Sequence, residues 1–152
     1  MRLYLDLCAL KRPFDDPVQD RVQLEALAVA SLLGAMERKE LTIVSSPMLV
    51  FENGRNPDPR RLEIVQAILD QCEFSGAPDA ATIDVARNLH GRGMPAPDAV
   101  HLAFAVRAGC DLFVTCDDEI LSRAKTCGTM LESIEIVGPL AAVALIETGG
   151  QA

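Results

Sequence analysis

Four carboxylates, Asp6, Glu52, Asp98 and Asp117, lie far apart in the chain but at positions that suit a shared site. Asp6 closes the apolar run Leu3-Tyr4-Leu5, and Asp117 follows Leu112 to Thr115 after one intervening residue. An acid set directly after an apolar strand is costly to bury unless a cation or a set of donors meets it. Carboxylates gathered together also repel one another unless a cation is present. Each acid has a plainer role when taken alone. Asp98 and Asp117 are good helix N-caps, Asp6 can begin a turn, and Glu52 can be a solvated residue on a short helix after Ser46-Pro47. The four together fit one site, and no comparable set of His, Ser or Cys competes with them.

The elements that must position these acids follow from the pattern of apolar residues. Leu3-Tyr4-Leu5, Leu41 to Ser45, Leu112 to Thr115 and Ile134 to Val137 are short, continuous apolar runs. Continuous rather than alternating runs indicate parallel strands covered on both faces. Between them, Val22, Ala26, Val29, Leu33 and Met36 recur at helical spacing, as do Leu62, Val65, Leu69 and Cys72. Asp79 is placed to cap a helix running to about Gly91, Pro97-Asp98 to open one ending near Gly109, and Asp117 to cap a short one through Arg123. Strands alternating with helices predict βαβ units and a doubly wound parallel sheet, an α/β fold in which helix outweighs strand. In such sheets ligands bind beyond the carboxyl ends of the strands, where Asp6 and Asp117 stand. The domain is expected to span 1–146, with a flexible tail at 147–152.

The chain has 152 residues, 49% apolar and 24% charged, an ordinary balance for one globular domain. The apolar stretch from Val22 to Met36 is broken by Glu25, Ser31 and Gly34, which excludes a membrane span. Asp6 falls where a signal peptide would need an apolar segment. Five cysteines without a CxxC pair, and only His90 and His101 beside them, argue against structural zinc and for reduced thiols in a cytoplasmic protein. Cys8 and Cys116 both neighbour candidate site acids and are expected to come close in space. His101, three positions after Asp98, is read as a hydrogen-bonded structural histidine, and His90 as a surface residue. A formal net charge of −8 is unsuited to a general nucleic-acid binder. It fits either acids held in a metal site or a basic protein partner. Ile64 and Ile68 widen the apolar stripe around Leu62, Val65 and Leu69, consistent with core packing or with a homodimer contact.

Four segments resemble the motifs of PIN-domain nucleases. Tyr4-Leu5-Asp6 with Cys8-Ala9-Leu10 resembles their opening, and Ser46-Pro47-Met48-Leu49-Val50-Phe51-Glu52 their second motif. Pro97-Asp98-Ala99-Val100-His101-Leu102-Ala103 resembles the third, and Val114-Thr115-Cys116-Asp117 followed by Asp118-Glu119-Ile120-Leu121 the fourth. The likeness runs from residue 2 to about residue 137, and the third and fourth motifs together are its specific part. It implies a three-layer α/β/α fold with a central, mostly parallel sheet of four to five strands. It also implies hydrolysis of RNA phosphodiesters with Mg²⁺ or Mn²⁺, and, as in the VapC-like toxins, an antitoxin protein as partner. The chain departs from the family at Leu7 and Cys8, where a small hydroxyl residue and often an Asn are usual.

Carried over by motif, Asp6, Glu52, Asp98 and Asp117 are the catalytic acids. Asp6, Asp98 and Asp117 are the metal ligands, and Glu52 is a further ligand or a general base. Thr115 is a supporting hydroxyl and Asp118 an additional or substitute acid. Hard divalent cations suit such a set, because they take oxygen ligands and retain several waters. Lys11 and Arg12 follow the first acid, and Arg55, Arg60 and Arg61 follow Glu52. They are candidates for RNA phosphate contacts as well as ordinary surface cations. With one Tyr and no Trp, selection of single-stranded or loop RNA by shape is expected over a base-stacking platform.

Overall fold

The computed structural model describes residues 1–149. A five-stranded parallel sheet is built from β1 (Arg2–Leu5), β2 (Thr42–Ser45), β3 (Glu73–Phe74), β4 (Leu112–Val114) and β5 (Glu135–Val137) in the order β3-β2-β1-β4-β5. Eight helices flank it: α1 (Leu7–Lys11), α2 (Asp20–Glu37), α3 (Pro47–Gly54), α4 (Pro59–Gln71), α5 (Ala80–Gly91), α6 (Ala96–Arg107), α7 (Asp118–Ala124) and α8 (Pro139–Gly149). This is the doubly wound, three-layer arrangement that the continuous apolar strands predict.

The three central strands are buried because their side chains meet helices on both faces. Leu3, Tyr4, Leu5, Phe113 and Val114 are fully enclosed, and the rings of Tyr4 and Phe113 stack at 5.4 Å between centroids. Val29 and Leu32 of α2, Val65 and Leu69 of α4 and Leu102 of α6 close over the sheet. Ile68 packs against this core, while Ile64 is partly exposed on the outer side of α4.

Three local features differ from the sequence reading. The edge strand β3 has only two residues, Glu73 and Phe74, both exposed, so it carries no apolar signature. The C-terminal helix α8 continues to Gly149, so residues 147–149 of the expected tail are helical. The rest of that tail, 150–152, lies outside the described residues. Asp98 is not a helix cap: α6 begins after Pro95, and Asp98 lies inside its first turn. Asp79 and Asp117 do cap, accepting from the backbone N–H of Thr82 and Glu119 respectively.

The strand order decides where a ligand can sit. The chain runs outward from β1 through β2 to β3, then crosses to β4 and β5 on the other side. The crevice between the carboxyl ends of β1 and β4 is therefore the switch point of the sheet. Asp6 follows β1, and Thr115 to Asp117 follow β4, on the two sides of that crevice.

Candidate functional site

Asp6 is the N-cap of α1 and is only 5% exposed. Its Oδ1 accepts from the Cys8 thiol at 2.8 Å and the Ala9 N–H at 3.1 Å, and its Oδ2 accepts from the Thr115 hydroxyl at 2.5 Å. Burial, seconded by Cys8, pushes the Asp6 carboxyl well above its usual range, against the opposing hydrogen bonds from Thr115 and Ala9. Thr115, fully buried, also accepts the Asp117 N–H at 3.0 Å, so one hydroxyl ties the first and last candidate acids together. Thr115 therefore joins the segment of Asp6 to that of Asp117 by hydrogen bonds.

Cys8 supplies a donor where the resemblance leads one to expect other polar residues. Contact with Cys116 and burial hold the Cys8 thiol strongly protonated, while the same contact lowers Cys116. The two cysteines meet, as their places beside Asp6 and Asp117 suggest. Leu7 makes no such substitution and packs against the core.

Glu52 is presented by α3, whose N-cap Ser46 accepts from the Leu49 N–H. Its Oε2 lies 2.9 Å from His101 Nε2, and Nδ1 of the same ring lies 2.6 Å from the Tyr4 hydroxyl. The Tyr4 hydroxyl is in turn 2.6 Å from Ser46 Oγ. His101 is therefore buried and hydrogen-bonded, and one of its partners is the candidate acid Glu52. Burial, above all, holds the Tyr4 phenol well above its ordinary value. His90 is exposed and contacts only the Met94 carbonyl, at 2.9 Å.

Asp98 and Asp117 are half-buried. Because α6 precedes β4 and runs back along the sheet, its first turn lies at the carboxyl edge of the strands, and Asp98 with it. Burial, then the negative charges of Asp117, Glu52 and Glu119, raises the Asp98 carboxyl, opposed by His101. Asp98, Asp117 and Glu52 thus share one electrostatic neighbourhood, while Asp6 is tied to the Asp117 segment through Thr115. Asp118 does not join them. It is exposed and forms a two-pronged ion pair with Arg21, both N–O distances being 2.8 Å, which lowers its carboxyl.

Two of the predicted RNA-binding cations are committed internally. Arg12 bridges Asp15 at 3.1 Å and the buried Glu25 at 3.2 Å, and Arg61 contacts Asp15, Asp58 and the Phe14 carbonyl. Arg21, which also reaches Glu25, completes this network and has no signature in the sequence beyond its i,i+4 spacing. Lys11, Arg55 and Arg60 form no ion pair among the described residues. Arg55 lies over the exposed ring of Phe51, 5.6 Å from its centroid. Asp6, Asp98 and Asp117 likewise have no cationic partner among the described residues. Among the described residues no group of three or more His, Cys, Asp or Glu side chains is placed to hold a metal ion.

A parallel sheet wound in this order, with acids at its switch point, defines a PIN-like, VapC-like fold. The solved structures it resembles include PAE2754 from Pyrobaculum aerophilum, at a TM-score of 0.54 and 17% identity over 97% of this chain and 99% of that one. VapBC2 from Rickettsia felis, solved bound to a DNA fragment from their promoter, aligns at a TM-score of 0.53 and 14% identity over 91% of this chain and 98% of that one. No family model and no curated protein sequence matches the chain. At these identities the likeness establishes the fold.

Proposed function

We propose that this chain is a divalent-metal-dependent endoribonuclease and the toxin of a toxin–antitoxin pair, with Asp6, Glu52, Asp98 and Asp117 as its working acids. The observation that carries this reading is the crowding of negative charge on Asp98 from Asp117 and Glu52, with no cation of the chain paired to Asp6, Asp98 or Asp117 among the described residues. Such an arrangement is stabilised when a cation arrives.

The donor set fits Mg²⁺ or Mn²⁺. It is all oxygen, which suits a hard cation that retains several waters and takes only one or two carboxylates directly. When bound, the cation would lower the pKa of a water and neutralise charge on the scissile phosphate. Asp6, Asp98 and Asp117 would hold it, directly or through water. Thr115 fixes one oxygen of Asp6, and Glu52 is free on its unshared oxygen to take a proton from an attacking water.

The substrate in this reading is single-stranded or loop RNA, reached by Lys11, Arg55 and Arg60. The likeness to VapBC2 and the charge of −8 support a basic antitoxin as partner. No described helix is long and apolar enough to cross a membrane. A homodimer through the exposed Ile64 side of α4 completes the proposal, and its mass in solution by light scattering tests it.

The deciding experiment is cleavage of a mixed single-stranded RNA pool with Mg²⁺, with Mn²⁺ and with chelator, beside Asp98→Asn. Cleavage that needs metal and disappears in folded Asp98→Asn is the expected result. A second reading, a PIN-like module that binds RNA or a protein without cutting, is favoured by one feature: both oxygens of Asp6 are already occupied by donors of the chain. Absence of cleavage by folded protein under every condition selects it.

A further inference from the structure

With Glu52 ionised and the His101 ring neutral, the buried chain of polar groups behind Glu52 has one self-consistent order of protons. The Leu49 N–H donates to Ser46 Oγ at 3.2 Å, and Ser46 Oγ meets the Tyr4 hydroxyl at 2.6 Å. The Tyr4 hydroxyl meets His101 Nδ1 at 2.6 Å, and His101 Nε2 meets Glu52 Oε2 at 2.9 Å. An ionised carboxylate only accepts, so Nε2 must carry the proton that lies between His101 and Glu52. A neutral ring then has a bare Nδ1, which takes the Tyr4 proton, and the Tyr4 oxygen is left to accept from Ser46. Every donor and acceptor in the chain is then used once.

We propose that His101 is a positioning residue for Glu52, held in the Nε2–H tautomer by Tyr4 and Ser46 so that it fixes one carboxylate oxygen and leaves the other turned to the site. The proposal rests on the role given to Glu52 above, but its geometry stands apart from cleavage. His101 is 3% exposed and lies on α6, three residues after Asp98, so its position is set by the same first turns that place Asp98. Ser46 is fully buried and caps the helix that bears Glu52. The cap of α3, the hydroxyl on β1 and the ring on α6 therefore meet in a single rigid assembly behind one side chain. Glu52 itself, on an unsupported turn of helix, has several rotamers open to it, and hydrogen bonds from an enclosed partner restrict them. Hydrogen-bonding partners of this kind behind a working side chain are worth about 10–100-fold in activity when removed.

The test begins on the intact chain in chelator, labelled with ¹⁵N at histidine, with His90 assigned by His90→Gln. His101 is expected to show a bare Nδ1 and a protonated Nε2 at neutral pH. Two variants then separate positioning from packing. His101→Asn keeps an amide near the place of Nδ1 but is too short to reach Glu52, whereas His101→Gln reaches it. Side-chain couplings of Glu52 should report one rotamer in the wild type and in His101→Gln, and averaging in His101→Asn. RNA cleavage should fall about 10–100-fold in His101→Asn and recover in His101→Gln, with Mn²⁺ affinity little changed in either. A proton on Nδ1, or a Glu52 as ordered in folded His101→Asn as in the wild type, overturns the proposal. A wild type that neither binds Mn²⁺ nor cuts RNA would defeat the proposed function, while the Glu52 couplings would still decide the role of His101.

Discussion

Asp6 carries an electrostatic cost that has a definite sign. Burial raises its folded carboxyl well above the ordinary value of 3.8, so the folded protein holds this proton more tightly than the unfolded chain does. Stability contributed by the protonated form is full below the unfolded value. It is lost as pH rises from there through the raised folded value. A neutral Asn escapes that loss. In chelator at pH 7, Asp6→Asn is therefore expected to melt above the wild type, with the gap closing as both are acidified below pH 4. Thermal melts across that range check it, and an Asp6→Asn variant less stable at pH 7 than at pH 4 relative to wild type would contradict it.

At the scale of the element, Ser46 does two jobs at once. It satisfies the first free N–H groups of α3 through Leu49, and it sits against the Tyr4 hydroxyl. Removing an N-cap side chain costs about 1 kcal/mol, and leaving a buried hydroxyl short of a partner adds about 1–3 kcal/mol. Ser46→Ala should accordingly lower unfolding free energy by about 2 kcal/mol in denaturant titration, and a loss below about 0.5 kcal/mol would mean that neither contact matters. The sequence makes this cap legible, because Ser46-Pro47 is a helix start by residue type alone. It makes β1, β2, β4, α2 and α4 legible for a similar reason, since burial on both sheet faces and on one helix stripe leaves a pattern of apolar residues. It hides β3, whose two residues bury nothing, and α8, whose run from Leu140 to Ile146 is apolar without an interrupting polar face. The acids at strand ends were readable because topology alone brings them together. The pairings His101 with Glu52 and Arg21 with Asp118 were not, because each joins elements that become neighbours only once the sheet order is known. For that reason Asp118 looks like a site acid in the sequence and is an ion-pair partner in the fold.

Across the whole molecule, charge sets how RNA can be held. A chain of net charge −8 has little long-range attraction for a polyanion, so any grip must come from a few cations near the acids. Arg12 and Arg61 are already spent on Asp15, Glu25 and Asp58, which leaves Lys11, Arg55 and Arg60. Arg12→Ala is expected to act on the fold instead. It strips one of two arginines from Glu25, which is 5% exposed, at a cost of about 1–3 kcal/mol. Each phosphate neutralised on single-stranded nucleic acid contributes about −0.7 to the slope of log affinity against log salt. Three such cations set the slope of RNA binding at about −2, shallow for a nucleic-acid enzyme. Binding of a labelled single strand to Asp98→Asn, titrated with KCl in chelator, measures it without turnover. Arg55→Ala with Arg60→Ala in that background should bring the slope to about −0.7, with the melting temperature little changed because neither residue is in an ion pair among the described residues and the Arg55 contact with Phe51 is exposed. An unchanged slope would move the RNA contacts elsewhere, and a starting slope much steeper than −2 would require the Arg12 and Arg61 network to open on binding.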